Sequence, residues 1–230
     1  MTRVPQAAAA VIADIVGSRR LADREAAQEQ ILAAFAVAEK DVPPLRAAWA
    51  TVGDEFQALH GAWPQAVRAV VRVSLALPPG LELRFGIGVG ERRSLDDGAG
   101  DRIEDGTAWY RARAAVERAH ARADGAATAF VAADPSLTAA VDGMLLLRDH
   151  VLGRLKARER RLAAALLGGA TQTQAARAER ITQSAVSQAV TRSGIDRLLE
   201  LDAALAEAPA GSPGHAGAAG EGAGDEGDAG

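Results

Sequence analysis

Residues 11–18 read Val-Ile-Ala-Asp-Ile-Val-Gly-Ser, and residues 52–56 read Val-Gly-Asp-Glu-Phe. The first stretch extends an apolar run that begins at Ala8. A short apolar run closed by Gly-Ser is a buried strand, here Ala8–Val16, with Asp14 near its end. The second stretch separates two strand-like segments, Ala47–Val52 and Phe56–His60, and Gly53-Asp54-Glu55 forms the hairpin tip.

Outward from these two stretches the pattern alternates. Ala22–Lys40 has helical spacing, with Ile31, Leu32, Phe35 and Val37 on its apolar face. Trp63–Leu77 is a second helix, with Val67, Val70 and Val71 inward. Leu81–Gly90 is a strand in which Leu83, Phe85, Ile87 and Val89 alternate. Gly106–Arg122 is a third helix and Ala127–Ala132 a further strand. The order β-α-β-β-α-β-α-β predicts an α/β (α+β) domain with a ferredoxin-like sheet and helices packed on one side. Arg92–Asp105 is polar and rich in Gly and Asp, which predicts a loop beside the site.

The chain has 230 residues, 48% hydrophobic and 24% charged, enough for one ordinary domain and a smaller second one. It has no cysteine, which excludes disulfides and thiolate zinc sites, and its four histidines argue against a histidine metal centre. The Ala-rich start is broken by Asp14, short of a signal peptide, and no segment reaches the ~18–20 apolar residues of a membrane span. The expected location is therefore the cytoplasm, with no membrane partner. The net charge of −4 conceals an uneven distribution. Residues 154–200 carry nine Lys or Arg against four acids, whereas the segment from Glu207 onward carries five acids and no Lys or Arg. The expected organisation is an α/β domain over 1–150, a helical domain over 151–206 and a Gly/Ala-rich acidic tail over 207–230, whose composition predicts disorder.

Asp14 places a carboxylate in a mostly buried strand, which costs several kcal/mol unless something compensates it. Mg²⁺ bound by Asp14, Asp54 and Glu55 is one compensation, with phosphate oxygens and water completing its shell. Gly17 and Ser18 open a turn whose backbone N–H groups can face a phosphate, and Arg19 stands next to it. An Asp that caps a turn and an ordinary Gly-Asp hairpin tip account for the same residues. The residues alone leave both readings open.

Residues 171–194 form a second pattern. Gly168-Gly169 stops a helix running from Arg154. Thr171–Ala178 is then a short helix, Glu179-Arg180-Ile181 a turn, and Thr182 the N-cap of a helix over Gln183–Arg192. Ala176, Ile181 and Val186 have the five-residue spacing of a helix-turn-helix. Arg180 stands where Gly is usual, and Arg can take the left-handed conformation of such a turn only at some cost. Thr182, Gln183, Ser184, Ser187, Gln188 and Arg192 lie on the exposed side. These residue types hydrogen-bond base edges and phosphates of double-stranded DNA, and Arg177, Arg158 and Arg161 are candidate phosphate contacts. A bundle that packs on the front domain or on a second chain fits the same helices.

Ala13–Ser18 resembles the opening strand of class III nucleotidyl cyclases, and Val52–Phe56 the hairpin of cyclases and GGDEF diguanylate cyclases. Phe85–Gly90 resembles the later cyclase strand, and Ala108–Arg113 the helix of GGDEF domains. Together these motifs resemble the SatD family over about residues 8–200. The resemblance implies a cyclase-type fold, metal aspartates at Asp14 and Asp54, a nucleotide with Mg²⁺ and a homodimer. It also shows departures. Ala50 stands where cyclases carry a base-reading Lys, Tyr110 stands at the Asn position, Arg113, the candidate phosphate contact on this helix, is out of step with the Arg, and Val52 replaces the first Gly of GGDEF. No catalytic residue is therefore assigned. The sequence reading is a DNA-binding regulator with a degenerate nucleotide-sensing or dimerising domain, against a metal-dependent nucleotidyl enzyme with a helical accessory.

Overall fold

The structure is a computed structural model that describes residues 6–51, 53–96, 102–122 and 128–209. Val52 and the segment 210–230, which holds nearly all of the expected tail, lie outside the described residues.

Strand β1 (Gln6–Ile15) is the centre of the sheet. Helix α1 (Arg24–Asp41) follows, its N-terminus capped by the Asp23 carboxylate, which accepts from Ala26 N at 2.9 Å. Strands β2 (Arg46–Ala50) and β3 (Glu55–His60) form the hairpin, and helix α2 (Trp63–Ala76) begins with Pro64 in its first turn. Strand β4 (Leu83–Asp96) returns beside β1. The order β2-β3-β1-β4, antiparallel throughout, is the ferredoxin-like arrangement of two split βαβ units. Strand β6 (Thr128–Val131) then adds in parallel to β4.

The Arg92–Asp105 segment differs from the expected loop. Strand β4 runs on to Asp96 and pairs over Arg93–Asp96 with β5 (Arg102–Asp105), forming a two-stranded arm beyond the end of β1. Its polar composition misled the reading, because a ladder in such an arm needs no apolar face.

The helices do not all lie on one side. Ala9, Val11, Ala13 and Ile15 of β1 pack against Ile31, Ala34 and Phe35 of α1 and Val67, Val70 and Val73 of α2. The alternate residues Ala8, Ala10 and Ile12 face α3 (Thr107–His120) on the opposite surface, with Ala108, Ala112 and Val116. Gly86, Gly88 and Gly90 of β4 make that seat. A Cβ at Gly88 would stand 2.0 Å from Ala112 N and 2.3 Å from Ala108 O; at Gly86 it would stand 2.3 Å from Ala112 O. The α3 backbone lies directly on the strand, where no side chain fits.

Helix α4 (Pro135–Arg154), capped by Asp134, was not anticipated from the sequence. It leads into α5 (Ala157–Leu167), α6 (Gln172–Glu179), α7 (Gln183–Ser193) and α8 (Ile195–Glu207). These last helices do not stand apart from the sheet unit. Val71 and Leu75 of α2 share a core with Leu162, Leu167, Val186, Val190 and Leu198. Arg72 of α2, 6% exposed, donates to Asp202 of α8 at 2.6 and 3.0 Å, to Leu167 O at 3.0 Å and to Asp41 at 3.4 Å. Burial works against both charges, and the pairing more than offsets it: Asp202 is held below the ordinary carboxylate range and Arg72 above its usual value.

Candidate functional site

The alternation of β1 turns Asp14 toward the α3 face, near the strand's C-terminal end. Register sets it opposite Glu55 on β3 and Arg84 on β4. Asp54 sits next to Glu55 at the hairpin tip. Asp14, Asp54 and Glu55 thus lie toward one end of the sheet, and each has a basic side chain nearby.

His120, the last residue of α3, places Nε2 3.1 Å from Asp14 Oδ2. Arg113, two turns earlier, donates to both oxygens of Glu55, with Nη2 to Oε1 at 2.8 Å and Nη1 to Oε2. Gln57 also donates to Glu55 Oε1, at 2.9 Å. Arg24 at the start of α1 lies 3.9 Å from Asp54, and Gln28 donates to Gly53 O at 3.2 Å. Burial raises the Asp14 carboxyl above its ordinary value; His120 opposes this and Asp54 adds to it. Arg84, opposite Asp14 in register, also opposes the rise. Nε of Arg84 is buried there without a hydrogen-bond partner.

The chain turns at Gly17 and Ser18. Gly17 has φ 68° and ψ 32°, the left-handed region that favours glycine, and Gly17 O accepts from Arg20 N at 2.9 Å. Ser18–Arg20 form one 3₁₀ turn with Arg19 and Arg20 exposed.

The donor set bears directly on a metal. Asp14 and Asp54 are two hard oxygen donors, the type that suits a divalent cation. Glu55 is different, because Arg113 and Gln57 already engage its oxygens. Among the described residues no three His, Asp or Glu side chains gather as a metal cluster. A cation here would draw on Asp14 and Asp54 and take its remaining ligands from phosphate and water.

His120 is the neighbour that sequence reading missed, since a His at the end of an amphipathic helix carries no local signal. Arg113 was named as a phosphate contact, and the structure places it on Glu55. The available signal was the helical spacing that puts Arg113 and His120 on one face of α3, with Asp14 and Glu55 opposite one another in register.

The sequence matches the SatD family over residues 8–203, most of the chain. The chain belongs to the SatD family. No curated protein matches it. Among solved structures, this SatD protein is similar to the catalytic core of a rhodopsin-guanylyl cyclase with converted specificity, in complex with ATPalphaS. The identity is 16% and the TM-score 0.37, over 47% of this chain and 71% of that one. It is also similar to the guanylyl cyclase Cya2, at 16% identity and TM-score 0.38, over 63% and 73%.

In the C-terminal part of the SatD chain, α6 and α7 are joined by Arg180-Ile181-Thr182. Thr171 caps α6 by accepting from Gln174 N at 3.2 Å, and Thr182 caps α7 by accepting from Ala185 N at 3.1 Å. Arg180 has φ 55°, the only non-glycine positive φ among the described residues. Ala176, Val186 and Val190 are buried, and Ile181 packs against them. Thr182, Gln183, Ser184, Gln188 and Arg192 are exposed and Ser187 is half-buried. Gln183 donates to Gln172 at 2.7 Å. Arg161 is bidentate on Glu179 at 2.8 and 2.7 Å, with Arg158 3.9 Å from the same carboxylate, so both are already paired. Arg177 and Arg192 are exposed and carry no ion pair among the described residues. Among the described residues no helix is long and apolar enough to cross a membrane.

Proposed function

We propose that this SatD protein is a DNA-binding regulator whose cyclase-like sheet binds a nucleotide with Mg²⁺ rather than turning it over. The observation that carries the DNA reading is the outward row of α7, where Gln183, Ser184, Gln188 and Arg192 are exposed beside Arg177, which has no ion pair among the described residues. Gln and Arg are the side chains that make bidentate contacts to adenine and guanine edges, and unpaired arginines meet phosphates. The capped α6–turn–α7 unit supports a helix-turn-helix whose second helix enters the major groove.

For the sheet, Asp14 and Asp54 would hold Mg²⁺, which supplies charge neutralisation at a phosphate, and the Gly17-Ser18 turn would face that phosphate. Arg113, committed to Glu55, does not stand free to meet developing charge, which favours binding over chemistry.

The test is selection from a random duplex library, followed by fluorescence anisotropy at fixed salt with the full-length protein. Enrichment of a motif, lost with Gln183→Ala plus Arg192→Ala, supports the reading; no enriched duplex overturns it. Substitution is the right control, because removing α5–α8 would uncover Val71, Leu75 and Arg72 of α2.

A second reading, metal-dependent nucleotidyl chemistry, is favoured by the proximity of Asp54 to Asp14, which helps raise the Asp14 carboxyl. Product formation from a panel of nucleoside triphosphates with Mg²⁺ or Mn²⁺, abolished by Asp54→Asn, would establish it.

A further inference from the structure

Helix α4 buries Val141, Leu145, Arg148 and Leu152. Its opposite face is unusual for a surface helix. Ala139, Ala140, Gly143, Leu146, Leu147 and His150 are all exposed there, Leu147 at 74%, the most exposed large hydrophobic residue among those described. The charged residues in the middle of the helix are turned elsewhere. Asp142 is taken by Arg118, Arg122 and Phe130 N, while Arg148 and Asp149 are buried against each other at 2.7 Å. An uncharged strip on a helix of about 30 Å is a contact surface in search of a cover.

We infer that α4 is the homodimer interface and that it pairs with α4 of a second copy in antiparallel fashion. Three observations select a second copy. The first is shape: a Cβ at Gly143 would meet nothing within 4 Å, leaving a gap on the strip one turn from Leu147. A two-fold axis beside Leu145 sets Leu147 of each copy into the Gly143 gap of the other, a self-complementary, isologous fit. The second is charge. Exposed Asp134 marks the N-terminal end of α4, and exposed Arg154 and Lys156 mark its C-terminal end. Antiparallel pairing brings each acid to the basic end of the other copy, twice, and opposes the two helix dipoles. A parallel pair would set like ends together. The third concerns the competing occupant, this chain's own residues 210–230. They hold no Leu, Ile, Val, Phe or Met to fill such a strip.

The interface is a single helix pair, so it falls in the weak, concentration-dependent class. It stands independently of the DNA reading, because α4 lies outside the α6–α7 unit.

Sedimentation velocity of the full-length protein over a concentration series tests it. The expected result is a monomer–dimer equilibrium that shifts to monomer mass with Leu147→Glu. Circular dichroism melting at a concentration where both proteins are monomeric should be unchanged, because the Leu147 side chain is solvent-exposed in the single chain. The absence of cysteine allows a second test. Gly143→Cys and Leu147→Cys proteins, mixed and oxidised, should give a disulfide-linked dimer, while neither alone should. Monomer at every concentration, a dimer indifferent to Leu147→Glu, or cross-links within a single variant would overturn the proposal. Monomer with Leu147 protected in footprinting would do the same, by showing that this chain covers its own strip.

Discussion

Asp14 is a residue whose position costs the fold something. Its carboxyl is raised first by burial and further by Asp54, against the opposing pull of His120 and Arg84, so the ionised form costs the folded protein stability relative to the unfolded chain. Asp14→Asn should therefore raise the thermal midpoint while weakening any effect of Mg²⁺ on that midpoint; a lower midpoint would contradict the account. His60 supplies a pH dependence of opposite origin. It is 2% exposed and its ring is pushed down to about 4 by burial. Between about 6.5 and 4 the unfolded chain takes up a proton that the folded protein refuses, so stability falls as the pH falls through that window. Urea midpoints should show a loss on the order of 2 kcal/mol from pH 6.5 to 5, a slope that His60→Gln removes. Of these features, Asp14 was legible in the sequence because a lone acid in an apolar strand is conspicuous. The burial of His60 was not, since a strand exit can as easily face water.

Among the elements, the seat of α3 shows what alternation can and cannot tell. Phe85, Ile87 and Val89 identified one buried face of β4, and with helices expected on one side of the sheet alone the intervening glycines carried no signal of a second. They are instead the point of closest approach between strand and helix, so α3 covers the second face of the sheet. Gly88→Ala would force α3 off its seat, and we expect a loss of about 3 kcal/mol or more, read as a collapsed urea midpoint or insoluble protein. Helix α4 escaped the reading for a related reason. Its apolar residues lie on both faces, so it lacks the one-sided stripe by which helices are recognised, although Asp134-Pro135 is an ordinary start signal. The βαββαβ core was legible because its helices each bury one side and its strands are short apolar runs closed by turn residues.

At the scale of the whole molecule, the C-terminal helices and the sheet unit share an apolar core that one buried arginine ties together. Arg72 meets α1, α5 and α8 at once, through Asp41, Leu167 O and Asp202, and Arg68 adds a second bond to Asp202 at 3.0 Å. Removing the guanidinium leaves Asp202 buried beside Arg68 alone, so Arg72→Met should cost about 3 kcal/mol. Hydrogen exchange should locate that loss in α5 and α8 before it reaches β1; uniform loss across the chain would argue against Arg72 as the joint. Sequence reading could not find this contact, because residues 72 and 202 carry no mark of their pairing. The glycine row of β4 has a consequence in the currency of heredity. Every glycine codon changes, by any single nonsynonymous base substitution, to a residue with a Cβ or to a stop. At Gly86, Gly88 and Gly90 no neighbouring allele is tolerable, and a lineage that keeps α3 has no mutational path by which to drift there.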